Sequence, residues 1–133
     1  MKKADKERQR VNVNSMLYKA ISQTAYIKNL ERNLKANNVK EIAIYGAGKV
    51  GRELGVLLKE KNFVLSYYVD KFSGESNMNG VPIFHVRTDY LQDVDCLIVT
   101  PCYEKYFILK EIENYYSDKC KIIFLDELLE VQI

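Results

Sequence analysis

Short apolar runs and stretches of helical spacing alternate along most of this chain, and that alternation limits the fold more than any other feature. Glu41-Ile-Ala-Ile-Tyr45 stops at Gly46, and Val50 to about Lys61 then carries Val50, Leu54, Leu57 and Leu58 at helical spacing. Phe63-Val-Leu-Ser-Tyr-Tyr-Val69 is β-branched and aromatic and ends at Asp70. Cys96-Leu-Ile-Val99 ends at Thr100-Pro101, and Lys121-Ile-Ile-Phe-Leu125 is the last run of this kind. Between these two, Tyr103 to Tyr116 reads as a helix with Tyr106, Phe107, Leu109, Ile112 and Tyr116 among its apolar positions. Val81-Pro-Ile-Phe84 reads as a short edge strand, because Pro82 argues against a central one. Ser73 to Gly80 reads as a loop, Asp89 to Gln92 as one helical turn, and Asp126 as the cap of a final turn through Leu129. Strands apolar on both faces and separated by helices mean a parallel sheet covered on both sides. With right-handed crossovers, the expected fold is α/β, a doubly wound parallel sheet of about five strands.

The charge is unevenly placed. Residues 1–38 hold nine Lys and Arg against three acids, a net of +6, whereas residues 39–133 carry a net of −4. All six glycines and both prolines lie in the second part. Residues 1–38 therefore read as a basic arm and an amphipathic helix, and residues 39–133 as a compact domain. Met1 to about Asn14 shows no hydrophobic periodicity, so a frayed or weakly helical arm is expected there. Ser15 to about Ala36 reads as one long helix, started by Asn14 or Ser15 and ended by Asn37-Asn38. A helix of that length does not hold itself together in water, so its stripe must pack on the following domain or on a second subunit. The stripe is broad enough for both, and a homodimer through this helix is expected, with the arm left in solvent.

Several classes of protein are excluded at once. A formal net charge of +2 is too balanced for a general nucleic-acid binder, and no run of about eighteen apolar residues exists to span a membrane. The charged N-terminus leads into no apolar segment of a secretory signal. Cys96, Cys102 and Cys120 are too few and too scattered for a disulfide framework or a zinc site, which points to a reducing cytoplasm. His85 is the single histidine.

The chemistry centres on Gly46-Ala47-Gly48-Lys49-Val50-Gly51, a G-x-G-x-x-G that directly follows a strand and opens a helix. In that setting Gly46 permits a tight turn, Gly48 lets a pyrophosphate approach the backbone, and Gly51 lets the helix pack closely on the sheet. Free amides at the helix start, with the positive end of its dipole, suit phosphates. Lys49 at a helix N-terminus is unfavourable by a few tenths of a kcal/mol or more, and a bound phosphate would reverse that sign. Asp70, at the end of the second strand, is placed to accept hydrogen bonds from both hydroxyls of a ribose. A carboxylate there repels a 2′-phosphate and so favours NAD over NADP; the neighbouring Lys71 works against this without reversing it.

The stretches IAIYGAGKVGRELGVLL, VLSYYVD, NGVPIF and VDCLIVTP resemble the N-terminal nucleotide-binding module of polysaccharide-biosynthesis nucleotide-sugar epimerases and dehydratases. Similar modules precede sugar acyltransferases. The resemblance covers about residues 40–129, and the G-V-P-I after the second-strand loop is its more distinctive element. It implies a Rossmann-like fold and a nucleotide ligand, either NAD or a nucleotide sugar such as a UDP-sugar. On that similarity Gly46, Gly48, Lys49, Val50 and Gly51 would meet phosphates, Asp70 the ribose, and Thr100 and Pro101 would lie beside the ligand. The catalytic half of such enzymes would follow residue 133.

Other candidates carry less. The Tyr-x-x-x-Lys pair of short-chain dehydrogenases occurs at Tyr45/Lys49, Tyr67/Lys71, Tyr106/Lys110 and Tyr115/Lys119, and four hits in a chain rich in both residues show how cheap the pattern is. Cys102 follows Thr100-Pro101 at a strand end but has no evident base, so it reads as a loop thiol. Asp93 and Asp95 read as loop acids. Gly51 is followed by Arg52-Glu53, which rules out a P-loop. Three readings remain open: a nucleotide-binding domain of sugar-nucleotide or polysaccharide biosynthesis, a non-catalytic sensory or oligomerisation module acting through a partner, and a structural remnant of a larger enzyme that holds subunits together through the N-terminal helix.

Overall fold

In the computed structural model, which describes residues 3–86 and 91–133, six strands form one sheet. They are β1 (Glu41–Tyr45), β2 (Val64–Val69), β3 (Asn77–Met78), β4 (Val81–Phe84), β5 (Cys96–Val99) and β6 (Lys121–Phe124). Their order is β3-β4-β2-β1-β5-β6, and every neighbouring pair is parallel except β3 with β4. β5 is buried along its whole length and β1 along all but its first residue, which is why both read as continuous apolar runs. The chain steps from β1 to β2 and β4 on one side, then returns to place β5 and β6 on the other. Loops leaving β1 and β5 at their carboxyl ends therefore diverge, and a crevice opens between them.

The helices are α1 (Lys3–Ala20), α2 (Thr24–Ala36), α3 (Lys49–Glu60), α4 (Lys105–Ile112) and α5 (Leu125–Leu129), with a 3₁₀ turn at Glu113–Tyr115. Neighbouring residues of a strand point to opposite faces, and Tyr67 and Tyr68 show which element covers each. The Tyr68 phenol lies against α3 at Gly55, where a Cβ would come within 1.9 Å of its oxygen. Tyr67 points the other way and meets Tyr116, just after α4, with 2.9 Å between the hydroxyls. α3 and the α4 segment thus lie on opposite faces.

The N-terminal region departs from the expectation of a loose arm and one long helix. α1 already includes Lys3, the first described residue, so Asn14 and Ser15 lie inside it and cap nothing. Once the docked turns around Val13 and Leu17 have nucleated the helix, adding polar residues at its start costs little. The break falls at Ile21–Gln23, where Ser22 Oγ donates to the Lys19 carbonyl at 2.7 Å and competes with helix continuation. The other end is as expected: Asn37 follows the last turn of α2, and Asn38 adopts φ 58°. Val13, Leu17, Ala20, Leu30 and Leu34 are buried in the same core as the sheet, with α1 against α3 and α5, and α2 against α5.

Four smaller expectations are also corrected. Asn79 and Gly80, with φ 53° and 83°, turn Asn77–Met78 back onto Val81–Pro82, so part of the expected loop is a sixth strand. The strand containing Pro82 consequently lies inside the sheet, and its ladder with β2 begins only at Ile83, past the missing N–H. Tyr106 and Phe107 are exposed on α4. Asp126 does not cap α5 but lies buried within it, with Lys105 Nζ 2.7 Å from its Oδ2. Of the turn expected at Asp89–Gln92, residues 89 and 90 lie outside the described residues, and Leu91 and Gln92 are not helical.

Candidate functional site

The glycine-rich turn joins β1 to α3 at the centre of the sheet. Gly46 has φ +109°, which an L side chain rarely adopts, and a Cβ there would lie 2.2 Å from Thr100 Oγ1. The Thr100 hydroxyl is itself fixed, donating to the Tyr45 carbonyl at 2.9 Å. Gly51 serves close approach: its Cβ would lie 1.9 Å from the Gly46 carbonyl oxygen. Gly48 differs from both, because a Cβ at that position meets nothing within 4 Å. Its open side is where a ligand can come near the backbone. The first hydrogen bond of α3 runs from Arg52 N to Gly48 O at 2.9 Å, so the amides of Lys49, Val50 and Gly51 have no acceptor within the helix.

Asp70 closes the turn from the side of β2. Its Oδ2 accepts a 2.7 Å hydrogen bond from the Ala47 amide, and its Oδ1 accepts from the amides of Phe72 and Ser73 at 2.7 and 2.9 Å. A carboxylate oxygen has two lone-pair sites, so Oδ1 is filled and Oδ2 keeps one acceptor position.

The five residues Gly46, Gly48, Lys49, Val50 and Gly51 line a cleft of about 350 Å³, faced by Asp70, Thr100 and Pro101. All of the residues expected from the sequence to meet a ligand are thus brought to one place. The sequence reading missed the remaining wall, made by Asn14, Ser15 and Tyr18 of α1 together with Tyr103. No local signal could have found it, since α1 reaches the cleft only through packing. A second lobe of about 330 Å³ shares Gly46, Asp70, Pro101 and Tyr103 with the first. Its other walls include Lys71, Phe72, Phe107, Ile108 and Glu111. Phe72 is 87% exposed and Phe107 68%, an unusual state for two phenylalanines beside one cleft. Lys71 Nζ lies 3.1 Å from Glu111 Oε2, so its charge is partly countered next to Asp70.

The groups considered for nucleophilic or acid–base chemistry are poorly placed for it. Burial pushes the Cys102 thiol up to about 12, and its Sγ donates weakly to the Val99 carbonyl. Burial likewise pushes Tyr67 up to about 12, and its hydroxyl is engaged by Gln92 and Tyr116. Lys110 Nζ sits 5.8 Å from the Tyr106 ring on the exposed face of α4. Asp93 and Asp95 lie in the loop before β5; Asp95 accepts from the Lys40 and Glu41 amides, and Asp93 from the Ser117 amide. Among the described residues, no group of three His, Cys, Asp or Glu is arranged to hold a metal, and no helix is long and apolar enough to cross a membrane. In comparisons with known proteins, the chain matches no family model, no curated protein and no solved structure.

Proposed function

We propose that this chain is a nucleotide-binding domain of Rossmann-like, doubly wound type, taking NAD or a nucleotide sugar in the cleft above β1, β2 and β5. The observation that carries the reading is the open side of Gly48 on a cleft into which the first amides of α3 lead. Strand order supports it, because open α/β sheets bind ligands outside the carboxyl ends of strands where the order reverses, here between β1 and β5. Phosphates fit the lobe of Gly48 and Lys49, and the free acceptor position of Asp70 Oδ2 fits a ribose hydroxyl. The lobe of Phe72, Tyr103 and Phe107 offers aromatic surface for a base. With Lys71 paired to Glu111, the carboxylate of Asp70 sets the local charge and favours NAD over NADP.

The resemblance of residues 40–129 to nucleotide-sugar epimerases and dehydratases is the ground for proposing a role in sugar-nucleotide or polysaccharide biosynthesis. The homodimer expected through the N-terminal helix belongs to the same proposal. α1 spends Val13 and Leu17 on its own domain and leaves Val11 and Met16 exposed for a second copy. Light scattering at micromolar concentration tests that contact.

Thermal melting with NAD, NADP, UDP-sugars and coenzyme A tests the ligand. NAD or a UDP-sugar is expected to raise the melting temperature by mass action, and NADP to raise it less. No shift with any of them would overturn the reading.

A further inference from the structure

The wall that α1 gives to the cleft is not a passive one. Tyr18 is half-buried, packed against the core next to the fully buried Leu17, and lines the cleft that contains Lys49. Lys49 Nζ lies 4.3 Å from the centroid of that ring. Lys49 is also the first residue of α3, where a cation is opposed by the helix dipole and has reason to swing away into solvent. The face of an aromatic ring attracts an ammonium without removing its charge. A ring at that distance is placed to favour one set of Lys49 rotamers.

We propose that Tyr18 is a positioning residue for phosphate binding: from a different helix, it keeps the Lys49 ammonium over the lobe formed by Gly48 and the N-terminus of α3. This rests on the nucleotide-binding reading above and extends it to the N-terminal helix. Ordering a long side chain in advance removes part of the entropy that binding would otherwise cost. Ligand and α1 are then linked. A diphosphate in the lobe draws Lys49 and with it the docked position of α1, while a docked α1 raises the affinity for the diphosphate by the same factor.

Calorimetric titration of the full chain with NAD, UDP and inorganic pyrophosphate tests this, comparing wild type with Tyr18→Phe, Tyr18→Leu, Lys49→Met and the double variant Tyr18→Leu/Lys49→Met. Tyr18→Phe keeps the ring and is expected to bind as wild type. Tyr18→Leu keeps apolar volume but no ring face, and is expected to weaken the phosphate ligands about three- to tenfold. In the Lys49→Met background the same leucine is expected to cost nothing further. Hydrogen exchange on the wild type needs no variant to fold: ligand is expected to slow exchange of the α1 amides around Tyr18. Unchanged affinity in Tyr18→Leu, additive losses in the double variant, or α1 exchange indifferent to ligand would each overturn the proposal while leaving the nucleotide reading intact. A wild-type chain that binds none of the three ligands would overturn both.

Discussion

Asp70 Oδ2 accepts a 2.7 Å hydrogen bond from the Ala47 amide, so the acid that ends β2 fastens the glycine-rich turn that follows β1. With Phe72 and Ser73 bonded to its other oxygen, Asp70 joins two loops before any ligand is present. Asp70→Ala is therefore expected to cost about 2 kcal/mol of stability in the ligand-free protein, because bonds to a charged group are lost and the Ala47 and Ser73 donors are left partly buried. It should also weaken NAD by about 1–3 kcal/mol. Urea denaturation measures the first effect and titration the second. Stability equal to wild type would mean that the three bonds contribute nothing.

Two glycines of the same turn should answer differently to substitution. Gly48 has open space beside its missing side chain and an ordinary φ of −85°, so Gly48→Val should fold with little change and lose nucleotide binding. Gly51 faces the Gly46 carbonyl, and Gly51→Ala must push α3 off the turn, at a cost of about 1–3 kcal/mol or more. Circular dichroism melts of the two variants, beside a binding assay, separate these outcomes. A Gly48→Val protein with wild-type affinity would place the ligand elsewhere.

The hydroxyl pair of Tyr67 and Tyr116 makes alkaline stability a readout of the α4 face. Burial raises Tyr67 to about 12 and raises Tyr116 further, whereas tyrosines of an unfolded chain ionise near 10. Between about pH 10 and 12 the unfolded state releases phenolic protons that the folded state keeps, so their contribution is complete below pH 10 and falls as pH rises. Denaturant midpoints measured from pH 8 to 12 should drop, and less steeply in Tyr67→Phe/Tyr116→Phe. Buried Cys96 and Cys120 act in the same direction, so the comparison with the variant, not the drop itself, isolates the tyrosines. Identical slopes in the two proteins would show that the pair does not titrate with folding.

All three thiols are buried, and burial raises each above its ordinary range. Because the thiolate is the reactive form, iodoacetamide at pH 8 should label the native chain slowly and the denatured chain at all three positions. Rapid native labelling of Cys102 would show that the strand end opens and would revive it as a nucleophile.

How much was legible follows from the range of each signal. The strands β1, β2, β5 and β6 and the helix α3 announce themselves through runs of neighbouring residues, because burial on two faces or one stripe imprints a local period. Gly46, Gly48, Gly51 and Asp70 could be placed for the same reason, as each answers to a strand end or a helix start. Asn79-Gly80 is also a local hairpin signal, but its two-residue strand has too little alternation to be seen beside it. Tyr106 and Phe107 misled because an aromatic residue at helical spacing looks the same whether it meets a core, a cleft as Phe107 does, or solvent as Tyr106 does.

The sequence by itself determined the alternation of strands and helices, the turn between β1 and α3, and the acid that faces it, all fixed by steric limits and burial over a few residues. Only the tertiary structure decided that residues 3–14 are helical and that α1 carries the Tyr18 ring to 4.3 Å from Lys49 Nζ. A polar helix start is held in place by packing of Val13 and Leu17 against elements far along the chain. Contacts of that kind leave no period in the residues that make them.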